Sequence, residues 1–348
     1  MKIFITGGTG FIGKRIVSML ASKVDTIYLL TRAHSLKKAT KTLGHLKNVV
    51  FITGDMTHDD VIDDHRELNL IQKEVDAILN IAGHYNLQIT EFDAYKNNVI
   101  SVQNILNLAK SCKKLSIFHH ISTYAVTGAL NGKVDEDTMD DARNFTDFYA
   151  RSKMQGENIL RHTKLGKTKI RIYRPGIVIG SSEDGVIEKI DGPYYLMKFL
   201  YENKALLKNL KYLKHFPLPY YKNAKLPLIP VDYLVEWLFE AVMNPSEHQL
   251  RSYNMIAKDP IRLEEFTELI LNAYGIEAKP LKLPRRKIYK HVLPKIGMPE
   301  ELLNYMYSSA EFSVENRLED FPELPEYDMR QMTETLIEGS ARFFEERV

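Results

Sequence analysis

The sequence predicts an α/β protein, a doubly wound parallel sheet carrying a smaller, mainly helical lobe. Three observations predict it. Short apolar runs rich in β-branched residues recur along the first half: 2–6, 26–31, 48–52, 76–80, 115–121 and 168–173. Stretches of helical period separate them, the alternation expected of parallel strands joined by crossover helices. The chain has 348 residues and is 44% hydrophobic, enough for a sheet-sized core and an added lobe.

The first run, KIFIT (2–6), leads into Gly7-Gly8-Thr9-Gly10-Phe11-Ile12-Gly13 and then a helix with Ile16, Val17, Leu20 and Ala21 on one face. Strand, glycine turn and helix form the setting of a dinucleotide fingerprint. Gly7 allows the tight turn, Gly10 lets backbone approach a pyrophosphate, and Gly13 lets helix pack on strand. The helix N-terminus offers N–H groups to the phosphates. The turn from Gly7 to Gly13, with Thr9, Phe11 and Ile12 between the glycines, is therefore the expected cofactor cradle.

The spacing is GxxGxxG, and Thr6–Gly13 reads TGGTGFIG. At these residues the chain resembles the extended short-chain dehydrogenase/reductases, matching all eight positions of their first turn. The resemblance implies a Rossmann-type sheet and a nicotinamide dinucleotide.

Charge and cysteine content narrow the alternatives. Lys and Arg number 47 against 45 Asp and Glu, a net +2, which gives no case for nucleic-acid binding. One cysteine, Cys112, excludes an internal disulfide and reads as a packing residue. With no signal peptide and no apolar run near the ~20 residues of a membrane span, a cytoplasmic protein is expected. No metal-ligand set is read.

The second strand, 26–31, ends beside the adenosine ribose in this fold. Thr31-Arg32 stands where an NAD enzyme usually has a carboxylate, with Lys37 and Lys38 nearby. A guanidinium can fork a 2′-phosphate, so Arg32 predicts NADP(H). The third strand, 48–52, is followed by Gly54-Asp55-Met56-Thr57. The resemblance implies that Asp55, with Met56 beside it, meets the adenine; the alternative is a helix cap. After the fourth strand, 76–80, comes Ile81-Ala82-Gly83, and the resemblance implies that Ala82 and Gly83 are small because the cofactor lies against them. His84 in the next loop reads as incidental.

A long helix is expected over 90–111. Asn97 and Asn98 are poor interior helix residues, which suggests a hydrogen-bonding task there. The family has NNVxG at this place, which implies that Asn98 organises the active site. The fifth strand, 115–121, ends in Ser122-Thr123. Tyr149 and Lys153, four apart, share a helix face. There a Lys ammonium would favour the phenolate and lower the Tyr pKa, and the Tyr would exchange a proton with a carbonyl or alcohol oxygen. The family pattern S-[ST]-x-x-V-[YT]-G favours Thr123 over Ser122. The resemblance thus implies a Thr123–Tyr149–Lys153 triad, with Lys153 also holding the nicotinamide ribose.

The sixth strand, 168–173, runs into Arg174-Pro175-Gly176-Ile177-Val178-Ile179-Gly180. RPGxVxG is a family marker, and it implies that Pro175, Gly176 and Val178 approach the nicotinamide. The segment from Asp184-Gly185 to Ile190-Asp191-Gly192-Pro193-Tyr194-Tyr195 resembles reductases of fatty acyl-CoA or carrier-bound thioesters, and Lys225–Leu234 fits the same group. The resemblance covers roughly 1–245.

The basic, aromatic stretch 204–225 suits a pocket lid with a cationic rim for a phosphate-bearing carrier arm, with anionic lipid or a plain amphipathic surface as alternatives. Arg285-Arg286-Lys287 reads as a solvated turn. Helices are expected at 231–243, 262–275 and 328–346, and 276–327 reads as irregular.

The expected division is a Rossmann domain of 1–180 plus 226–244 and a substrate lobe of 181–225 plus 245–348. The expected activity is NADPH-dependent reduction of an acyl thioester, on CoA or a carrier protein, to aldehyde or alcohol. Other readings are a ketone or secondary-alcohol oxidoreductase, a nucleotide-sugar epimerase and a non-catalytic NADP sensor. The expected state is monomer or homodimer, the latter through helix 143–164, with peripheral membrane contact as a further option.

Overall fold

The structure, a computed structural model, describes residues 1–83, 89–128, 131–137, 145, 147–203 and 214–346. The first half alternates as expected: β1 (Lys2–Thr6), α1 (Gly13–Leu20), β2 (Thr26–Thr31), α2 (Leu36–Leu43), β3 (Val49–Thr53), α3 (His65–Glu74), β4 (Ala77–Asn80), α4 (Glu91–Tyr95), α5 (Ser101–Ser111) and β5 (Ile117–Ile121). Then come β6 (Asn131–Val134), α6 (Phe148–His162), β7 (Lys169–Pro175), β8 (Ile177–Ile179), α7 (Tyr194–Glu202), β9 (His215–Pro219), β10 (Leu228–Pro230), α8 (Val231–Met243) and β11 (Leu250–Met255). The C-terminal part holds α9 (Leu263–Ala273), β12 (Lys279–Leu283), α10 (Tyr289–Val292), α11 (Leu302–Met306), β13 (Ser309–Phe312), α12 (Glu315–Asp320) and α13 (Met329–Glu345).

Seven strands form one parallel sheet in the order β11-β7-β5-β4-β1-β2-β3. Successive residues of a strand face opposite sides, so the sheet has two cores. Ile3 and Ile5 join α1 and α8 on one side. Phe4, Ile78 and Phe118 join α3 and α5 on the other. The strand order reverses between β1 and β4, so a crevice opens beyond their carboxyl ends, where ligands bind in such sheets.

One expectation needs correction and another is refined. Residues 250–255, assigned to the substrate lobe, form the edge strand of the main sheet, paired to β7 from Leu250↔Ile170 to Met255↔Pro175. The sequence hides this strand because LRSYNM is half polar. Ser252 and Asn254 are nonetheless fully buried. Arg161 donates to the Ser252 hydroxyl, and the Asn254 N–H donates to Glu136 Oε1 at 2.8 Å. The helix expected over 90–111 is present and continuous, with a π-helical turn at Lys96–Ile100 between α4 and α5.

The 276–327 stretch is more regular than its composition suggests. It supplies β12 to a parallel pair with β9 and β13 to a parallel pair with β6. α12 returns to the sheet, where Arg317 is fully buried. Its guanidinium sits 4.2 Å over the Trp237 ring and donates to Glu326 at 2.6 Å. Trp237 thereby ties α8 to the C-terminal chain.

Candidate active site

The crevice at the β1/β4 reversal is a cavity of about 520 Å³. Its floor is the glycine turn. Gly7 takes φ +69°, and a Cβ there would stand 2.6 Å from the Ala82 nitrogen. At Gly13 a Cβ would lie 2.1 Å from the Gly7 carbonyl oxygen, so only glycine lets α1 start so close to β1. At Gly10 the nearest atom to a Cβ would be the Gly7 oxygen at 3.4 Å; the space above it belongs to the cavity. That cradle fits the pyrophosphate of a dinucleotide.

A buried hydrogen-bond chain fixes the strand ends beneath. Thr6 Oγ1 donates to Asn80 Oδ1 at 2.6 Å and accepts from the Ala82 N–H at 3.2 Å. Asn80 Nδ2 lies 3.0 Å from His120 Nδ1, tying β1, β4 and β5 together.

Every expected cofactor contact lines this cavity: Gly7, Thr9, Gly10, Phe11, Ile12, Gly13, Arg32, Asp55, Met56, Ala82, Gly83, Lys153, Pro175, Gly176 and Val178. Thr123 and Tyr149 line it as well. Asp55 also does the local work of a turn, since its Oδ1 accepts from the Thr57 N–H at 2.8 Å. That bond and the nearby Arg32 charge hold its carboxyl below the usual range against the opposing cost of burial. His84 and residues 204–213 of the basic stretch lie outside the described residues.

Asn98 is placed differently. Asn97 faces the cavity, whereas Asn98 is buried behind it, and its Nδ2 donates to Ser152 Oγ at 3.0 Å. The Ser152 hydroxyl in turn donates to the Tyr149 carbonyl at 2.9 Å. Gly156 lets α6 pass this close, since a Cβ there would sit 2.4 Å from the Asn98 carbonyl oxygen. Asn98 therefore grips the helix that carries Tyr149 and Lys153.

Asp147 caps α6 through the Ala150 N–H at 2.7 Å. The Thr123 and Tyr149 hydroxyls are hydrogen-bonded to one another. Ser122, one residue away, turns inward and donates to Glu157 Oε2 at 2.5 Å, so Thr123 is the hydroxyl beside Tyr149.

The expected lowering of the Tyr149 pKa is not what the site does. Burial raises the phenol above its ordinary value, and Asp191 and Asp147 push the same way; only the Thr123 hydrogen bond opposes. The Lys153 ammonium is itself desolvated, and burial lowers its pKa to about 8 while Glu157 opposes. Its Nζ donates to the Ile121 carbonyl at 2.8 Å.

Sequence reasoning missed the base of the site. Glu157 is fully buried. It accepts from Arg174 Nη2 at 2.6 Å and from Arg161 Nε at 2.9 Å. Arg174 and the other hydrogen bonds outweigh burial and hold its carboxyl down at about 2. A signal existed: Tyr149, Lys153 and Glu157 repeat every four residues on one helix face. Tyr305 and Leu302 also line the cavity, and Tyr305 donates to Asp147 at 3.2 Å. No local motif marks them.

A family profile described as Male sterility protein matches residues 5–238. The chain belongs to that family. Its members are NAD(P)-dependent reductases of the extended short-chain dehydrogenase/reductase type. Among relatives, the chain is 30% identical over 172 residues to a probable fatty acyl-CoA reductase 5 of Arabidopsis thaliana, covering 41% of this chain and 35% of that one. It is 24% identical over 332 residues to the nonribosomal peptide synthetase asaC of Aspergillus flavus, covering 87% of this chain and 30% of that protein. The chain thus spans about a third of the length of these curated relatives. Its fold is that of the terminal R domain from the myxalamid PKS-NRPS biosynthetic pathway, with TM-score 0.78 and 21% identity over 99% of this chain and 91% of that one. Among the described residues no helix is long and apolar enough to cross a membrane.

Proposed function

We propose that this chain reduces an acyl thioester, carried on CoA or on a carrier protein, to an aldehyde or onward to an alcohol. One observation carries the reading: the hydrogen-bonded Thr123 and Tyr149 hydroxyls share a cleft with the glycine cradle and with Lys153. The similarity to a fatty acyl-CoA reductase and to a terminal R domain supports the substrate class.

When bound, the nicotinamide cofactor supplies the hydride. The protein's own groups do the rest. Thr123 and Tyr149 hold the thioester carbonyl oxygen. Burial keeps Tyr149 protonated, so it has a proton to give as charge grows on that oxygen. The hemithioacetal then loses its C–S bond, and thiol and aldehyde leave. Lys153 lies at the cofactor side of Tyr149, next to Gly83, where a Cβ would be 3.3 Å from Nζ.

NADPH is the proposed cofactor, because Arg32 opens onto the cleft from the end of β2. Beyond Tyr124 and Tyr305, whose rings are 6.0 Å apart, lies a second cavity of only about 40 Å³, where Phe145 and Phe312 stand beside Asp147 and Lys225.

The test is NADPH oxidation with acyl-CoAs of increasing length, a carrier-bound thioester, free aldehydes and ketones, with Tyr149→Phe in parallel. Thioester turnover lost in the variant is the expected result. Ready turnover of ketones with none of any thioester would overturn the substrate class.

A further inference from the structure

We propose that residues 279–298 form a surface that seats the protein on an anionic lipid membrane. This segment holds seven Lys and Arg and no Asp or Glu. The chain as a whole carries +2, so +2 less +7 leaves −5 for everything else. Such a separation orients a protein at an anionic surface.

Between the cations stand apolar side chains that the fold leaves in water. Ile288 is 55% exposed, Val292 43% and Ile296 38%, each four residues from the next. Exposed Leu281 on β12 adds to them. Single apolar side chains rising from a field of Lys and Arg are the composition of an interfacial segment.

The fold enlarges the patch. β12 pairs with β9 from Lys279↔His215, and the Lys279 N–H donates to the Lys214 carbonyl at 3.2 Å. The pairing thus brings the described end of the basic stretch 204–225 beside β12, which leads into the cationic turn at Arg285–Lys287. Lys282 sits 5.5 Å over the ring of exposed Tyr221. Arg285 lies 5.6 Å over the Tyr307 ring, and the Tyr307 hydroxyl donates to the Leu283 carbonyl at 3.1 Å, which anchors the turn to the end of α11.

This inference does not depend on the thioester reading, and its experiment keeps the two apart. The full chain is sedimented with vesicles of phosphatidylcholine alone and of phosphatidylcholine mixed with phosphatidylglycerol. Binding to the anionic vesicles only, weakened by salt, is expected. Neutralising Arg285, Arg286 and Lys287 to Gln should lower the partition coefficient about a hundredfold. Ile288→Ser with Val292→Ser should lower it with the charge intact. NADPH oxidation with a soluble short acyl-CoA, run on the same variants, should stay at the wild-type rate. Equal binding to both vesicles, or binding to neither, would overturn the proposal. So would loss of turnover confined to a carrier-protein thioester in a protein that ignores vesicles, because the face would then dock an acidic protein.

Discussion

Lys153 Nζ and the Ile121 carbonyl oxygen are 2.8 Å apart, so the tip of β5 holds the ammonium of α6 in place. Burial lowers the Lys153 pKa to about 8. Its charge is therefore lost as pH rises through about 8, and kcat/KM should fall above that pH with a single ionisation. Lys153→Met should remove this limb along with most of the activity, a loss of about 10²–10⁴. The stability effect has the opposite sense. Between about 8 and 10.5 the unfolded chain binds the extra proton, so the cost of burying this group shrinks as pH rises through that window. Lys153→Met should accordingly raise Tm most at neutral pH and least near the upper end, as read by thermal melts across pH.

Glu157 and Arg174 are both fully buried, and removing one strands the other. Glu157→Ala should cost about 3–5 kcal/mol in chemical denaturation, and Glu157→Leu with Arg174→Leu should recover much of it. The Glu157 pKa is depressed to about 2 from 4.5. Its contribution is complete above 4.5 and disappears as pH falls from there towards 2.

Glu136 responds to pH in the other direction. Burial raises its carboxyl to about 7, although it accepts from the Asn254 and Asn316 N–H groups at 2.8 and 2.6 Å. A raised carboxyl pKa means the folded state binds more protons between 4.5 and about 7. Stability from this group is full below 4.5 and falls as pH rises through about 7. Glu136→Gln should flatten that slope in denaturation curves taken across the window.

Two glycines of the cradle should fail in different ways. Gly13→Ala drives a methyl into the Gly7 carbonyl and should destabilise the fold by about 1–3 kcal/mol or more. Gly10→Ala meets nothing closer than 3.4 Å, so the chain should fold and melt normally. Its methyl enters the cavity, and NADPH affinity in titration calorimetry should drop about tenfold or more.

Arg32→Ala should weaken NADPH binding far more than NADH binding, because the guanidinium at the end of β2 makes its strongest, charge-assisted bonds to a 2′-phosphate. Equal loss for both cofactors would show that Arg32 serves the turn.

The parts of the site that depend on local pattern were legible in the sequence. Thr6–Gly13 carries its own geometry, and Tyr149 and Lys153 need only a helix to meet. Contacts made over distance were not legible. Nothing near Tyr305 announces that it reaches Asp147, and β11 is concealed because its buried Ser252 and Asn254 are satisfied by partners elsewhere in the chain. The pKa of Tyr149 was misjudged for a related reason. The spacing to Lys153 is local, whereas the burial that raises the phenol comes from the whole cleft.

The pairing of β6 with β13 joins residues 178 positions apart, Asn131 beside Ser309. That distance sets an order of assembly. As the chain leaves the ribosome, the glycine turn and six strands of the sheet are complete by Pro175, while β6 still waits for its partner β13. The nucleotide cradle is thus made early, and the wall bearing Leu302 and Tyr305 arrives late. A nascent chain holding dinucleotide before it can hold substrate would have its reductant in place when the acyl side closes.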